Sequence, residues 1–245
     1  MFAVSILIVS GTGTEVGKTV VTAALATLAA SRGSSVAVVK PAQTGVGPDE
    51  SGDLVVVRTL SGVTDLHCYA RFRHPLSPAA AARLAGLPPL DLTDAAERIR
   101  LLAADRRLVL VEGAGGLLVR YDEDGRTLAD LAHALGAPVL VVAPPSLGTL
   151  NQTALTLEAM AGRGISLPGV VLGSWPQAPD LAARCNIRDL ETLAARPLEG
   201  ALPAGAGRLH PAEFLIAARR SLGPAFGGTF DAADFRHSHD PSRRG

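Results

Sequence analysis

Apolar residues in this chain fall into short continuous runs, separated by longer segments whose apolar positions recur at helical spacing. The runs are residues 4–9 (VSILIV), 36–39 (VAVV), 108–111 (LVLV), 138–142 (PVLVV) and 170–172 (VVL). Runs without alternation predict strands buried on both faces. Helices are predicted at about 20–31, from Asp53 onward (DLVVVRTLSG), at 127–135 closed by Gly136, and near 150–162, 181–195 and 211–222. Residues 77–102 read as helix, a break at Pro88-Pro89, and a second helix entered at Asp91 or Thr93. The stretch 42–52 (AQTGVGPDESG) reads as a polar loop. Strands alternating with helices predict an α/β fold, a doubly wound and mainly parallel sheet with helices on both faces, in three layers. One domain is expected over 1–226. Beyond about Gly227 the periodicity stops, so 227–245 is expected as a flexible, solvated tail. His237, His239 and Asp240 belong to that tail and are read as solvated side chains rather than a metal cluster.

Composition narrows the function. Of 245 residues 47% are hydrophobic and 4% aromatic, enough for a core of aliphatic strands and alanine-rich helices. The formal net charge is zero, which leaves no basic field for nucleic acid. The first apolar run is too short to span a bilayer and no charged region precedes it, so a cytoplasmic protein without membrane attachment is expected. Cys68 and Cys185 show neither metal-ligand nor redox spacing and are read as reduced thiols. Of 23 basic residues two are lysine, Lys18 and Lys40, and both fall at predicted strand–loop junctions. Lysine is a compact point charge where arginine is a planar fork, so a chain built on arginine that keeps lysine at two such places points to tight anion sites.

The first of these lies in residues 11–19, GTGTEVGKT, between the first strand and the first helix. Strand, glycine turn, then Gly-Lys-Thr opening a helix is the setting of a phosphate loop. Backbone N–H groups there have no helical partner and face an anion, Lys18 adds a charge on the outer phosphates, and the Thr19 hydroxyl can ligate Mg²⁺. Five residues separate Gly11 from Gly17 where the common pattern has four, and Thr12 occupies the place of the first glycine. Ligands of parallel sheets sit outside the strand carboxyl ends. Those ends collect 11–19, Lys40, 112–116, 146–151 and 173–176. Glu112 follows four apolar residues where nucleotide hydrolases carry an acid for Mg²⁺. Asp53 is either a second acid near the metal or a helix N-cap.

Together GTGTEVGKT, Lys40-Pro41 followed by Thr44-Gly45, VEGAGG at 111–116 and LGTLNQ at 147–152 resemble the dethiobiotin synthetase family over most of residues 4–205. The resemblance implies a Mg²⁺-dependent homodimer that joins CO₂ to 7,8-diaminononanoate and closes a ureido ring, converting ATP to ADP and phosphate through a carbamate and a carbamic–phosphoric anhydride. It implies Lys18 and Lys40 as the catalytic cations, and Thr19, Asp53 and Glu112 around the metal. Glu15, Val16, Gly17 and Val20 would lie along the nucleotide. Thr14, Lys40, Thr44 and Gly115 would surround the diamine. Leu147, Gly148, Thr149, Leu150 and Asn151 would come from the partner subunit to receive the substrate's far carboxylate, although from sequence alone Gly148 and Thr149 serve equally as a plain helix cap.

One segment departs from the family. Where its members usually carry an asparagine for the adenine, this chain reads Gly173-Ser174-Trp175-Pro176. A base pocket lined by backbone around Trp175 and around Leu202, Pro203, Ala204 and Gly205, tolerant of other nucleoside triphosphates, is expected instead. Rival readings explain less. Partition-type ATPases typically carry a second lysine five residues before the first, and Gly13 stands there. A cobyric acid synthase-like enzyme would bring a glutaminase half with a nucleophilic cysteine. A silent nucleotide-binding module needs neither Lys40 nor Glu112.

Overall fold

The computed structural model describes residues 5–47 and 50–243. Val4 of the first expected strand, Pro48 and Asp49 of the expected loop, and the last two residues lie outside them. The described chain runs β1 (Ile6–Gly11), α1 (Lys18–Ala30), β2 (Val36–Thr44), α2 (Asp53–Ser61), β3 (Leu66–Phe72), α3 (Pro78–Ala85), α4 (Leu92–Asp105) and β4 (Leu108–Gly116). It continues with α5 (Leu128–Leu135), β5 (Val139–Ala143), α6 (Thr149–Ala161), β6 (Val170–Trp175), α7 (Leu181–Ala194), β7 (Gly200–Pro203), α8 (Pro211–Ser221) and α9 (Ala232–Ser238). All seven strands are parallel, in the order β3-β2-β4-β1-β5-β6-β7. The chain works outward from β1 on one side and, after β4, on the other, which puts the switch in winding beside the loop that leaves β1.

Each central strand feeds two cores. Ile8, Val39, Val109 and Val111 face α3, α4, α5 and α7, while Leu7, Val9, Leu108 and Leu110 face α1, α2 and α8. Burial on both faces is why these strands are continuously apolar. Helix termini follow local chemistry. Asp91 caps α4 by accepting from Thr93 and Asp94 N–H, and Gly136 ends α5 in the left-handed region at φ 59°.

Four features differ from expectation. β2 runs on through Ala42, Gln43 and Thr44, expected as loop, because they pair with Ala70, Arg71 and Phe72 of β3. β3 was not expected as a strand; it is the half-buried sheet edge, where His67, Tyr69 and Arg71 replace an apolar run. β7, four residues with a glycine and a proline, was not expected either. The expected tail carries α9, which packs onto α7 and closes over Trp175: the indole meets Phe235 and His239 edge-on, both at 4.9 Å. Phe230 joins the core there with Phe235 packed against it, and four ring contacts among Trp175, Phe230, Phe235 and His239 substitute for the missing periodicity. No helix among the described residues is long and apolar enough to cross a membrane.

Candidate active site

The loop from Thr12 to Gly17 is shaped by close backbone approach. Gly17 enters α1 at φ 97°, and a Cβ there would stand 2.5 Å from the Gly173 carbonyl oxygen of β6. A Cβ on Gly173 would in turn meet the Val16 carbonyl oxygen at 2.0 Å. Glycine at both positions lets β6 press the loop forward. Helix α1 has no side-chain cap and its first backbone bond runs from Val21 N–H to Gly17 O, so the N–H groups of Lys18, Thr19 and Val20 lack helical acceptors. Lys18 Nζ donates to Gly13 O at 2.7 Å and curls beneath the loop. Gly11 permits this, since a Cβ there would lie 3.1 Å from that ammonium.

Beside the loop, four elements bring one cluster together. Lys40 of β2 lies 2.5 Å from Asp53 Oδ2 of α2 and 2.8 Å from Glu112 Oε1 of β4, and donates to Gly113 O at 3.1 Å. Thr19 of α1 donates to the same Glu112 oxygen at 2.8 Å. Glu112 has no exposed surface, and its Oε2 has no partner. Burial alone would depress the Lys40 ammonium, but the Glu112 and Asp53 carboxylates outweigh it and hold the pKa above the ordinary lysine value. Lys18 shifts the other way, down to about 8. Burial is the main cause and repulsion from Lys40 the next, with Glu112 and Asp53 partly offsetting both. The two lysines therefore share one electrostatic field.

A cleft of about 640 Å³ opens over this cluster. Thr14, Glu15, Gly17, Lys18, Thr19, Val20, Lys40, Thr44, Asp53, Glu112 and Gly115 all line it. Asp53 does begin α2, but Gln43 Oε1 accepts its N–H at 2.9 Å, leaving its carboxylate to Lys40. Gln43, Leu76, Ser77 and Val119 also line the cleft and were not singled out from sequence. Apolar linkers such as 75–78 carry no chemical signal; for Gln43 the signal was an amide two residues before a glycine turn.

The remaining expected residues sit elsewhere. Val16 turns its side chain into the core behind the loop. Gly173 backs the loop and Ser174 is exposed. The Trp175 side chain belongs to the core under α9 and that of Leu202 to the opposite core, so at these two positions backbone alone faces outward from the strand ends. Pro203, Ala204 and Gly205 are exposed at the end of β7. Residues 147–151 start α6 and do not line this cleft within one chain; Leu147 is 87% exposed, while Thr149 is buried with its hydroxyl unpartnered.

A family described as AAA domain matches residues 5–207. Among curated proteins the chain is similar to "ATP-dependent dethiobiotin synthetase BioD" of Parafrankia sp. (strain EAN1pec), 67% identical across 96% of this chain and 99% of that one. The protein of the same name from Streptomyces coelicolor is 56% identical across 96% and 99%. Among solved structures the fold is similar to the MinC:MinD cell division protein complex of Aquifex aeolicus, with a TM-score of 0.57, 13% identity and coverage of 88% and 93%. It is also similar to a ParA family ATPase from Chlorobium tepidum TLS, at 0.54, 14%, 89% and 90%. At such identities these two show the fold alone.

Proposed function

The chain belongs to the ATP-dependent dethiobiotin synthetase family, and on that basis we propose that Lys40 and Lys18 hold the carbamate of 7,8-diaminononanoate against the γ-phosphate of ATP. The enzyme is a ligase of biotin synthesis. The observation that carries the assignment of residues is the meeting of Lys40, Asp53, Glu112 and Thr19 beside the loop that buries Lys18.

One amine of the substrate attacks CO₂ and releases a proton, leaving a carbamate anion. Repulsion would keep that anion from a triphosphate. Lys40 offers a buried ammonium that the Glu112 and Asp53 carboxylates favour in its charged form, and Lys18 a second amine beneath the loop, both in place before the substrate arrives. A carbamate oxygen then attacks the γ-phosphorus and ADP leaves. The second amine attacks the carbonyl carbon, and phosphate departs as the ring closes. No step needs a side-chain nucleophile, because orientation and charge supply the rate.

Mg²⁺ suits the donor set: Glu112 Oε2 is buried without a partner, Asp53 presents a second carboxylate, and Thr19 a hydroxyl. Bound there, it would neutralise charge on the phosphate oxygens. The backbone of Gly173 and Ser174, with Pro203 to Gly205, would border the base, and their lack of an amide side chain favours tolerance toward other nucleoside triphosphates. Residues 147–151 complete the site in a homodimer: the exposed start of α6 carries uncapped N–H groups suited to the far carboxylate of a neighbouring chain's substrate. Cytoplasmic placement fits the substrates. Purified protein with 7,8-diaminononanoate, bicarbonate, Mg²⁺ and ATP should yield dethiobiotin by mass with one ADP per ring; ADP without ring product would overturn the assignment.

A further inference from the structure

In the pairing of β1 with β4, Val9 registers with Glu112 and then Gly11 with Gly116, so four steps on β4 oppose two on β1. Residues 113–115 leave the ladder at that bulge. The peptide unit joining Gly113 to Ala114 is thereby freed from strand pairing and gripped from both ends. Its carbonyl accepts from Lys40 Nζ at 3.1 Å, and its N–H donates to the Tyr121 hydroxyl at 2.8 Å. In a trans peptide those two groups point in opposite directions on one rigid plane, so a side chain that fixes the N–H also aims the carbonyl.

Tyr121 is built to be such a fixture. It has no exposed surface and is among the largest wholly buried side chains. A tight turn carries it: Tyr121 N–H donates to Arg126 O at 2.8 Å, and Asp122 accepts from both Arg126 N–H and Nε. On the other side the peptide lies against Leu128, where a Cβ on Gly113 would come within 2.3 Å.

An ammonium has three N–H donors, and Lys40 meets three acceptors: Asp53, Glu112 and Gly113 O. The two carboxylates are the proposed metal ligands. The Gly113 carbonyl is the neutral anchor among them, for which a metal does not compete. We propose that Tyr121 is a positioning residue for Lys40, its hydroxyl setting through the Gly113–Ala114 peptide the direction in which the ammonium meets the carbamate. This rests on the role proposed for Lys40.

The test compares the parent, Tyr121→Phe, Lys40→Met and the double variant. Phenylalanine keeps the buried ring and removes the hydroxyl alone. Binding of 7,8-diaminononanoate is measured by calorimetry with a non-hydrolysable ATP analogue, bicarbonate and Mg²⁺, alongside kcat and both KM values. Tyr121→Phe is expected to weaken diamine binding and lower kcat about tenfold, with KM for ATP unchanged, and to have no further effect on binding in the Lys40→Met background. Parent-like kinetics, equal losses in both backgrounds, or a parallel loss toward ATP would overturn the proposal. Parent-like diamine binding by Lys40→Met would instead remove the reading of Lys40 itself. Should Tyr121→Phe fail to fold, Asp122→Asn loosens the turn while keeping the hydroxyl, and a smaller loss confined to the diamine is expected; a loss shared with ATP would again overturn it.

Discussion

Replacing Lys40 by methionine keeps the length of the stem and removes its charge. The ammonium lies 2.8 Å from Glu112 Oε1 and 2.5 Å from Asp53 Oδ2. At an effective dielectric of about 20 each contact is worth roughly 6 kcal/mol of gross attraction, much of it offset by desolvation. The variant strands a buried carboxylate whose remaining hydrogen-bond partner is the Thr19 hydroxyl. Removing one partner of a buried pair costs about 3–5 kcal/mol, and that loss is expected in urea unfolding with a chelator present. Excess Mg²⁺ should return a large part of it, since a dication held by Glu112 and Asp53, as proposed, would bind the native state alone. Turnover should remain depressed by about 10²–10³ even where Mg²⁺ restores stability, because the carbamate would have lost the charge proposed to hold it. Formation of ring product within about threefold of the parent would remove Lys40 from the reaction, and a stability deficit that Mg²⁺ leaves untouched would remove the metal from Glu112 and Asp53.

Three further outcomes follow from other parts of the fold. Gly173→Ala drives a Cβ toward the Val16 carbonyl oxygen, and overpacking of this kind costs about 1–3 kcal/mol; calorimetry should show triphosphate binding weakened about tenfold, and unchanged affinity would contradict the close approach. Phe235→Ala uncovers Trp175, the only tryptophan, so its emission should shift to the red with a loss of about 2 kcal/mol, while an unshifted spectrum would mean that α9 does not cover it. Burial pushes the Asp130 carboxyl up, but bonds from Thr127 N–H and Oγ1 at 2.7 and 2.6 Å prevail and hold it below its usual 3.8. A pKa lowered by folding gives stability that is full above 3.8 and disappears as the pH falls through the lower native value. Asp130→Ala should thus cost about 1 kcal/mol at neutral pH, with the gap closing in acid; a gap that persists at strongly acid pH would count against it.

Much of this was legible in the chain because the central strands and the phosphate loop are local signals. A run such as LVLV can be buried on two faces only in a covered parallel sheet, and Gly17-Lys18-Thr19 after a strand has one obvious use. The pairing of Lys40 with Glu112 was legible only as two residues at strand ends, since β2 and β4 become neighbours through topology. β3 escaped because an edge strand has one neighbour and tolerates His67, Tyr69 and Arg71. α9 escaped because its docking rests on ring contacts with a tryptophan some sixty positions earlier. Tyr121 gave no sign, since its hydroxyl meets the Ala114 N–H at a bulge that appears only when β1 and β4 are in register.

Attack of a carbamate oxygen on the γ-phosphorus within one cleft has a direct readout in the fate of oxygen. With ¹⁸O-labelled CO₂ supplied and the reaction sampled before exchange with water, one labelled oxygen is expected in the released phosphate and the other in the ring carbonyl. Labelled dethiobiotin beside wholly unlabelled phosphate would contradict it, because the phosphoryl group would then have gone to water rather than to the substrate.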